Sequence, residues 1–174
     1  MTGRTTDIEK LGCPSKVLLR KTGKSIIAAY DDSGRYPEQS LYFTFGEMSE
    51  DPFYILGLLN SRLMNFLYFH TAITNRDSIA QVKKVDLDAL PVAIHGHGNG
   101  HDKKISMIAA KAREIHDGYK AMHGSKTDQE RALNVRRINL AEAAIEGYVG
   151  GLFDLSIAHC NHIATWDLVE DAHG

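Results

Sequence analysis

Ten residues on three polar stretches carry groups suited to gripping a polyanion. Lys21, Thr22 and Lys24 lie in "KTGK", Arg35, Tyr36 and Gln39 in "DDSGRYPEQ", and Arg76, Gln81, Lys83 and Lys84 in "TAITNRDSIAQVKKVD". Ammonium and guanidinium groups contact phosphates, and the paired donors of Arg, Gln or Asn match base edges in a DNA major groove. Any one of these side chains alone is an ordinary solvated turn residue. Only convergence of the three stretches would make an interface.

Other constellations carry less. "PVAIHGHGNGHDKKISMIAA" has the order strand, G-x-G-x-G, helix, which suits a phosphate-bearing cofactor at a helix N-terminus. Such a unit needs a second strand ending in an acid about 20 residues on. Here a second helix follows, so a flexible linker is the preferred reading. His95, His97 and His101 lie in that glycine-rich run with no rigid scaffold, and His159, Cys160 and His162 form a second small group. Both are read as structural or solvent-exposed, with no metal expected. Asp31 and Asp32 follow a strand as catalytic acids often do, and as turn aspartates also do. Cys13 and Cys160 lie far apart and are read as free thiols in a reducing cytoplasm. No nucleophile elbow, P-loop or carboxylate-dyad spacing is present, so no catalysis is expected from this chain alone.

These residues need a scaffold. Lys16–Arg20, Ser25–Tyr30 and Ser40–Phe45 read as three short strands, the first two joined by a turn at Gly23. "SEDPF" opens a helix, with Ser49 or Asp51 as cap and Pro52 at the first position. Along "YILGLLNSRLMNFLYFH", Ile55, Leu58, Leu59, Arg62, Leu63, Phe66 and Leu67 recur at helical steps, which predicts one helix over 52–69. Asn60 and Ser61 fall off that stripe and are expected to point away from the sheet. "LDALPVAI" reads as a closing strand with Pro91 at a sheet edge. Beyond the linker, helices are expected over about 102–123, 127–153 and 157–168, the first two as an antiparallel pair.

The fold class is therefore α+β: a small mixed or antiparallel β unit with a packed helix, followed by a C-terminal helical hairpin. We divide the chain into a lead-in (1–13), an α/β unit (14–94), a Gly/His-rich linker (95–101) and a helical region (102–174). An apolar content of 43% over 174 residues suits a globular chain. No apolar run reaches the ~20 residues of a membrane span, and the N-terminus is not a signal peptide, so no membrane partner is expected. The formal net charge of −2 hides an asymmetry. Residues 14–84 hold nine Lys/Arg against seven Asp/Glu, whereas 138–174 hold six acids and no Lys/Arg. One face could hold a polyanion while the tail stays acidic.

"VLLRKTGKSIIAAYDDSGRYPEQSLYFTF", then "YILGLLNSRLMNFLYFH", then "QVKKVDLDALPV" resembles the TaqI-like C-terminal specificity domain of bacterial DNA adenine methyltransferases and combined restriction–modification enzymes. The resemblance covers about residues 14–94, and the following helices more loosely. The ending "FDLSIAHCN" departs from the family's usual wording. The resemblance implies a target-recognition domain for double-stranded DNA. The "NPPY"-type methyltransferase motif is absent, because the four prolines are all separated. S-adenosylmethionine would then bind a separate catalytic domain or subunit, and this chain would carry no cofactor. The chain is then either a C-terminal piece of a larger enzyme or a small product beside a catalytic subunit, Met1 favouring the second. Within such a domain Asn60 and Ser61 are expected to tie their helix to the loop after it. Arg35 and Gln39 are nominated as base readers, and the lysines and Arg76 as phosphate contacts. The alternative is a scaffold that binds a partner, or a second copy as a homodimer, through the helical pair and binds no DNA.

Overall fold

The computed structural model describes residues 7–44, 50–72, 80–96 and 100–166. Three strands form an antiparallel sheet: β1 (Lys16–Arg20), β2 (Ala28–Asp31) and β3 (Leu41–Phe43), in the order β2-β1-β3. Leu19 pairs with Ala28 on one side and Tyr42 on the other. Strand alternation sends Val17 and Leu19 into the core and Leu18 and Arg20 to the opposite face. The short helix α1 (Ile8–Gly12), capped by Asp7, precedes the sheet. Lys16 is wholly buried beside it, donating to Leu11 O at 2.9 Å and Cys13 O at 2.8 Å and pairing with Asp31 at 3.0 Å.

The helix expected over 52–69 is two helices, α2 (Pro52–Asn60) and α3 (Arg62–Ala72). Asp51 caps the first through the Phe53 amide, as its sequence position indicates. Ser61 breaks the run with an extended backbone (ψ 153°). Its hydroxyl donates back to Leu58 O at 2.7 Å and accepts from the Met64 amide, so it closes one helix and opens the next. Asn60 points toward the sheet, contrary to expectation. Its amide brackets the outer edge of β2, accepting from Ala28 N at 2.9 Å and donating to Ala28 O at 3.0 Å. Asn65 continues the clamp by accepting from the buried Ile26 amide at 2.7 Å and donating to Ser61 O. The link thus runs to the first hairpin and not to the loop after the helix. An edge strand offers unpaired amides and carbonyls, and two asparagine side chains occupy part of that edge.

Residues 87–94 also depart from the expected strand. No strand forms there. The chain makes the one-turn helix α4 (Lys84–Asp88), in which Asp86 accepts from the Lys83 amide, and then an irregular stretch outside the sheet. Leu87 and Leu90 are buried at helical spacing, which defeats the alternation a strand needs, and Pro91 has no amide to donate. The Tyr54 hydroxyl donates to Ala93 O at 2.8 Å and pins this stretch to α2. Burial, reinforced by the Glu50 charge, pushes that phenol up to about 12.

Three further helices follow: α5 (His101–Gly124), α6 (Asp128–Leu152) and α7 (Ile157–Thr165). The expected antiparallel pair is α5 and α6, its turn closed by a capping box between Thr127 and Glu130. α5 crosses α2 closely at Gly57, where a Cβ would meet Ile108 at 2.9 Å. One core runs through both regions, from Val17, Tyr54 and Leu58 to Ile105, Ile108, Ile145 and Ile163. Glu146 on α6 accepts from the first amide of α3, at Arg62, and burial raises its carboxyl above the usual range despite that bond. Helix N-termini favour such an anion.

Leu59 is buried as the stripe requires, but Phe66 is only half-buried, meeting His162 and Trp166 edge-to-face and His70 at a tilt. Phe66→Ala should therefore cost about 1–2 kcal/mol, less than the roughly 3–5 of a fully buried phenylalanine. Urea titration with an unchanged slope measures it.

Candidate nucleic-acid interface

The hairpin after β1 is held at one corner of the sheet from both sides. Lys21 N donates to Ser40 O at 3.0 Å, beside the start of β3. On its other flank Val82 N donates to Lys21 O and Gly23 N to Ala80 O, both at 2.8 Å, and Thr22 faces Gln81 in a lone antiparallel bridge. Gly23 takes φ +133°, which a side chain would strain. Three separate stretches thus meet: 21–24, 39–41 and 80–84. Local sequence gave each a polar character. The backbone bonds alone make them neighbours.

The ammonium of Lys21 donates to Gln39 O at 2.6 Å and lies 4.7 Å from the centre of the Tyr42 ring. It is committed to holding the second loop against the first. Lys24 follows on the same turn, while Lys83 and Lys84 open α4 next to the corner with exposed side chains. Lys84 is paired with Asp88 one turn on. Thr22, Gln39 and Gln81 are exposed.

Arg35 and Tyr36 do not join this group. They sit where the chain leaves β2, at the end of the sheet away from the hairpin. Asp31 accepts from the Arg35 amide at 2.9 Å, and the Tyr36 ring lies over Gly12. The loop from β2 to β3 must cross the length of the sheet, because it joins its two outer strands. Its beginning and its end therefore lie at opposite ends, and only Gln39 reaches the corner. Arg76 lies outside the described residues.

Arg20, which the sequence marks only as the last residue of the first strand, also stands here. It is exposed at the end of β1, at the corner itself. The signal was its place in the alternation: it falls on the face away from Val17 and Leu19.

Several members of the other constellations are bonded or packed within the fold. Asp31 pairs with Lys16 and accepts from the Ser33 hydroxyl and amide. Burial alone would raise its carboxyl, but the Ser33 and Lys16 hydrogen bonds outweigh it and bring the pKa down to about 2. Asp32 binds Lys120 and lies 3.7 Å from the His116 ring nitrogen. His95 is tied to the buried Glu50 through both its amide and its ring. His97 lies outside the described residues. His162 packs on Phe66, and Cys160 lies against Gly150. Among the described residues no three His, Cys, Asp or Glu side chains gather as metal ligands, and no helix is long and apolar enough to cross a membrane.

No curated protein matches the chain significantly. Residues 3–92, just over half of the 174, match the TaqI-like C-terminal specificity domain, and the chain belongs to that family.

Proposed function

We propose that this chain reads a short sequence in double-stranded DNA and positions a separate methyltransferase or endonuclease on it, as a specificity module of a restriction–modification system. Family membership supports the DNA-recognition role. The observation that carries the reading to particular residues is the corner, where 21–24, Gln39 and 81–84 are fixed by backbone bonds from two sides. A preorganised rim of cations neutralises phosphates without first having to order loops. S-adenosylmethionine, in this reading, is bound by the catalytic partner, and no reaction is carried by this chain.

Lys83 and Lys84 are assigned to phosphate. Binding to duplex DNA should weaken with log salt at about 0.9 per phosphate neutralised. The Lys83→Ala/Lys84→Ala double variant should weaken binding to all sequences alike and flatten that slope by about 1–2. A slope unchanged in fluorescence anisotropy would remove these lysines from the interface. Arg35, by its position, should leave both affinity and slope unchanged when replaced by alanine.

A docking role for the helical pair without DNA is the second reading. It is favoured by Leu133 and Leu140 on α6, which are 60% and 64% exposed. A strict monomer by light scattering that also fails to bind a methyltransferase would exclude that reading.

A further inference from the structure

We propose that Arg20 is a base-reading residue, and that it recognises guanine in the major groove. The inference rests on the DNA reading given above and goes beyond it by assigning one side chain to one base.

Arg20 pairs with Leu41 of β3 and accepts no core position, since its strand neighbour Leu19 takes that. Its amide donates to Ile27 O at 3.0 Å, so Ile27 lies opposite on the other side. Residues directly opposite in antiparallel strands share a face. The arginine therefore stands between two aliphatic side chains on the outer face, and Ile27 is 46% exposed. Its head is seated on the hairpin: a Cβ at Gly23 would meet the guanidinium nitrogen Nη2. The bare Cα of Gly23 is thus the floor on which the guanidinium lies. Among the described residues its exposed side chain makes no ion pair or hydrogen bond.

Two of the other corner cations are already engaged. Lys21 is occupied by Gln39 O and the Tyr42 ring, and Lys84 by Asp88. Lysine also presents a point charge, whereas the planar fork of arginine matches guanine O6 and N7 with two bonds. An adjoining exposed isoleucine suits a thymine methyl group beside that guanine. Gly23 acts as a positioning residue.

Selection from a randomised duplex pool at low salt, using the full chain, tests this. Wild type should enrich a motif containing a fixed guanine. Arg20→Ala should enrich the same motif without preference at that one position. Its affinity for the wild-type motif should fall about 5–150-fold, equivalent to about 1–3 kcal/mol, with binding to random DNA changed less than about twofold. Gly23→Ala keeps the arginine but shifts its head off the hairpin, and should weaken the same guanine preference by less than Arg20→Ala does. The exposed Arg20 position keeps the test valid if Gly23→Ala folds poorly. An unchanged motif in Arg20→Ala overturns the proposal, as does uniform weakening on all sequences, which would make Arg20 a phosphate contact. A wild-type chain that binds duplexes but enriches no motif overturns it while leaving the cationic corner standing. Failure of wild type to bind duplex DNA at all would overturn the DNA reading itself.

Discussion

Lys16→Met lowers the unfolding free energy by about 3–5 kcal/mol, the cost of leaving a buried charge without its partner. Lys16 is 0% exposed, and its three ammonium donors are all used, on Leu11 O, Cys13 O and the Asp31 carboxylate. It ties α1 to the first strand and β1 to the end of β2. Asp31 has the wider duties, because it also accepts from the Ser33 hydroxyl and the Ser33 and Arg35 amides. Asp31→Ala should therefore cost at least as much. The double variant should cost less than the sum of the singles, since the stranded charge is lost once. Urea unfolding of the three variants measures this, and full additivity would show that the pair contributes nothing beyond its separate bonds. The pH dependence follows from the same group. Its folded pKa of about 2 lies below the ordinary 3.8, so the unfolded chain binds the proton more readily. The stabilisation is complete above about pH 4 and is lost as pH falls from there toward about 2. Lys16→Met, which lets the folded pKa rise, should make acid unfolding shallower in that window.

Asn65→Ala should cost about 2–4 kcal/mol, from a buried Ile26 amide left without an acceptor and a lost bond to Ser61 O. Asn60→Ala should cost less, because Asn60 is exposed and water can reach the Ala28 groups it serves. The local readout is hydrogen exchange. Protection of the Ile26 amide should fall in Asn65→Ala, while that of the Val17 amide, which donates to the Thr44 hydroxyl on the β3 side, follows global stability only. With both asparagines removed, the edge of β2 is bare and the protein should aggregate at concentrations the wild type tolerates. Equal exchange at Ile26 in variant and wild type would show that Asn65 does not serve that amide.

Much of this architecture is legible in the chain. β1 spans the residues its aliphatic run marks out, the α2 cap and proline stand where their chemistry requires, and the α5–α6 pair follows from helical periodicity. These features depend on interactions a few residues apart, which sequence spacing encodes directly. The polar triplet in "YILGLLNSRLMNFLYFH" shows where that stops. Helical periodicity places Asn60 off the apolar stripe, but it cannot reveal that β2 lies 32 residues away in sequence with an edge amide and carbonyl waiting for that side chain. The same holds for Leu87 and Leu90, whose apolar character suits a strand or a helical turn until the buried surroundings select one.

The interface divides along the same line. The sequence by itself determined that three polar stretches carry cations and amides, and that their order resembles a specificity domain. Only the tertiary structure decided which of them meet. Backbone bonds from Lys21 to Ser40 and Val82 gather the first turn, Gln39 and the third stretch, while the crossing from β2 to β3 carries Arg35 and Tyr36 to the far end. Arg20 shows the converse: its type is visible in the sequence, but the seat of its guanidinium is a glycine three residues on whose missing side chain leaves it room. Composition fixes which chemistry a chain can offer, and long-range pairing fixes where it is offered, because the bonds that set that geometry join residues whose separation in sequence carries no local signal.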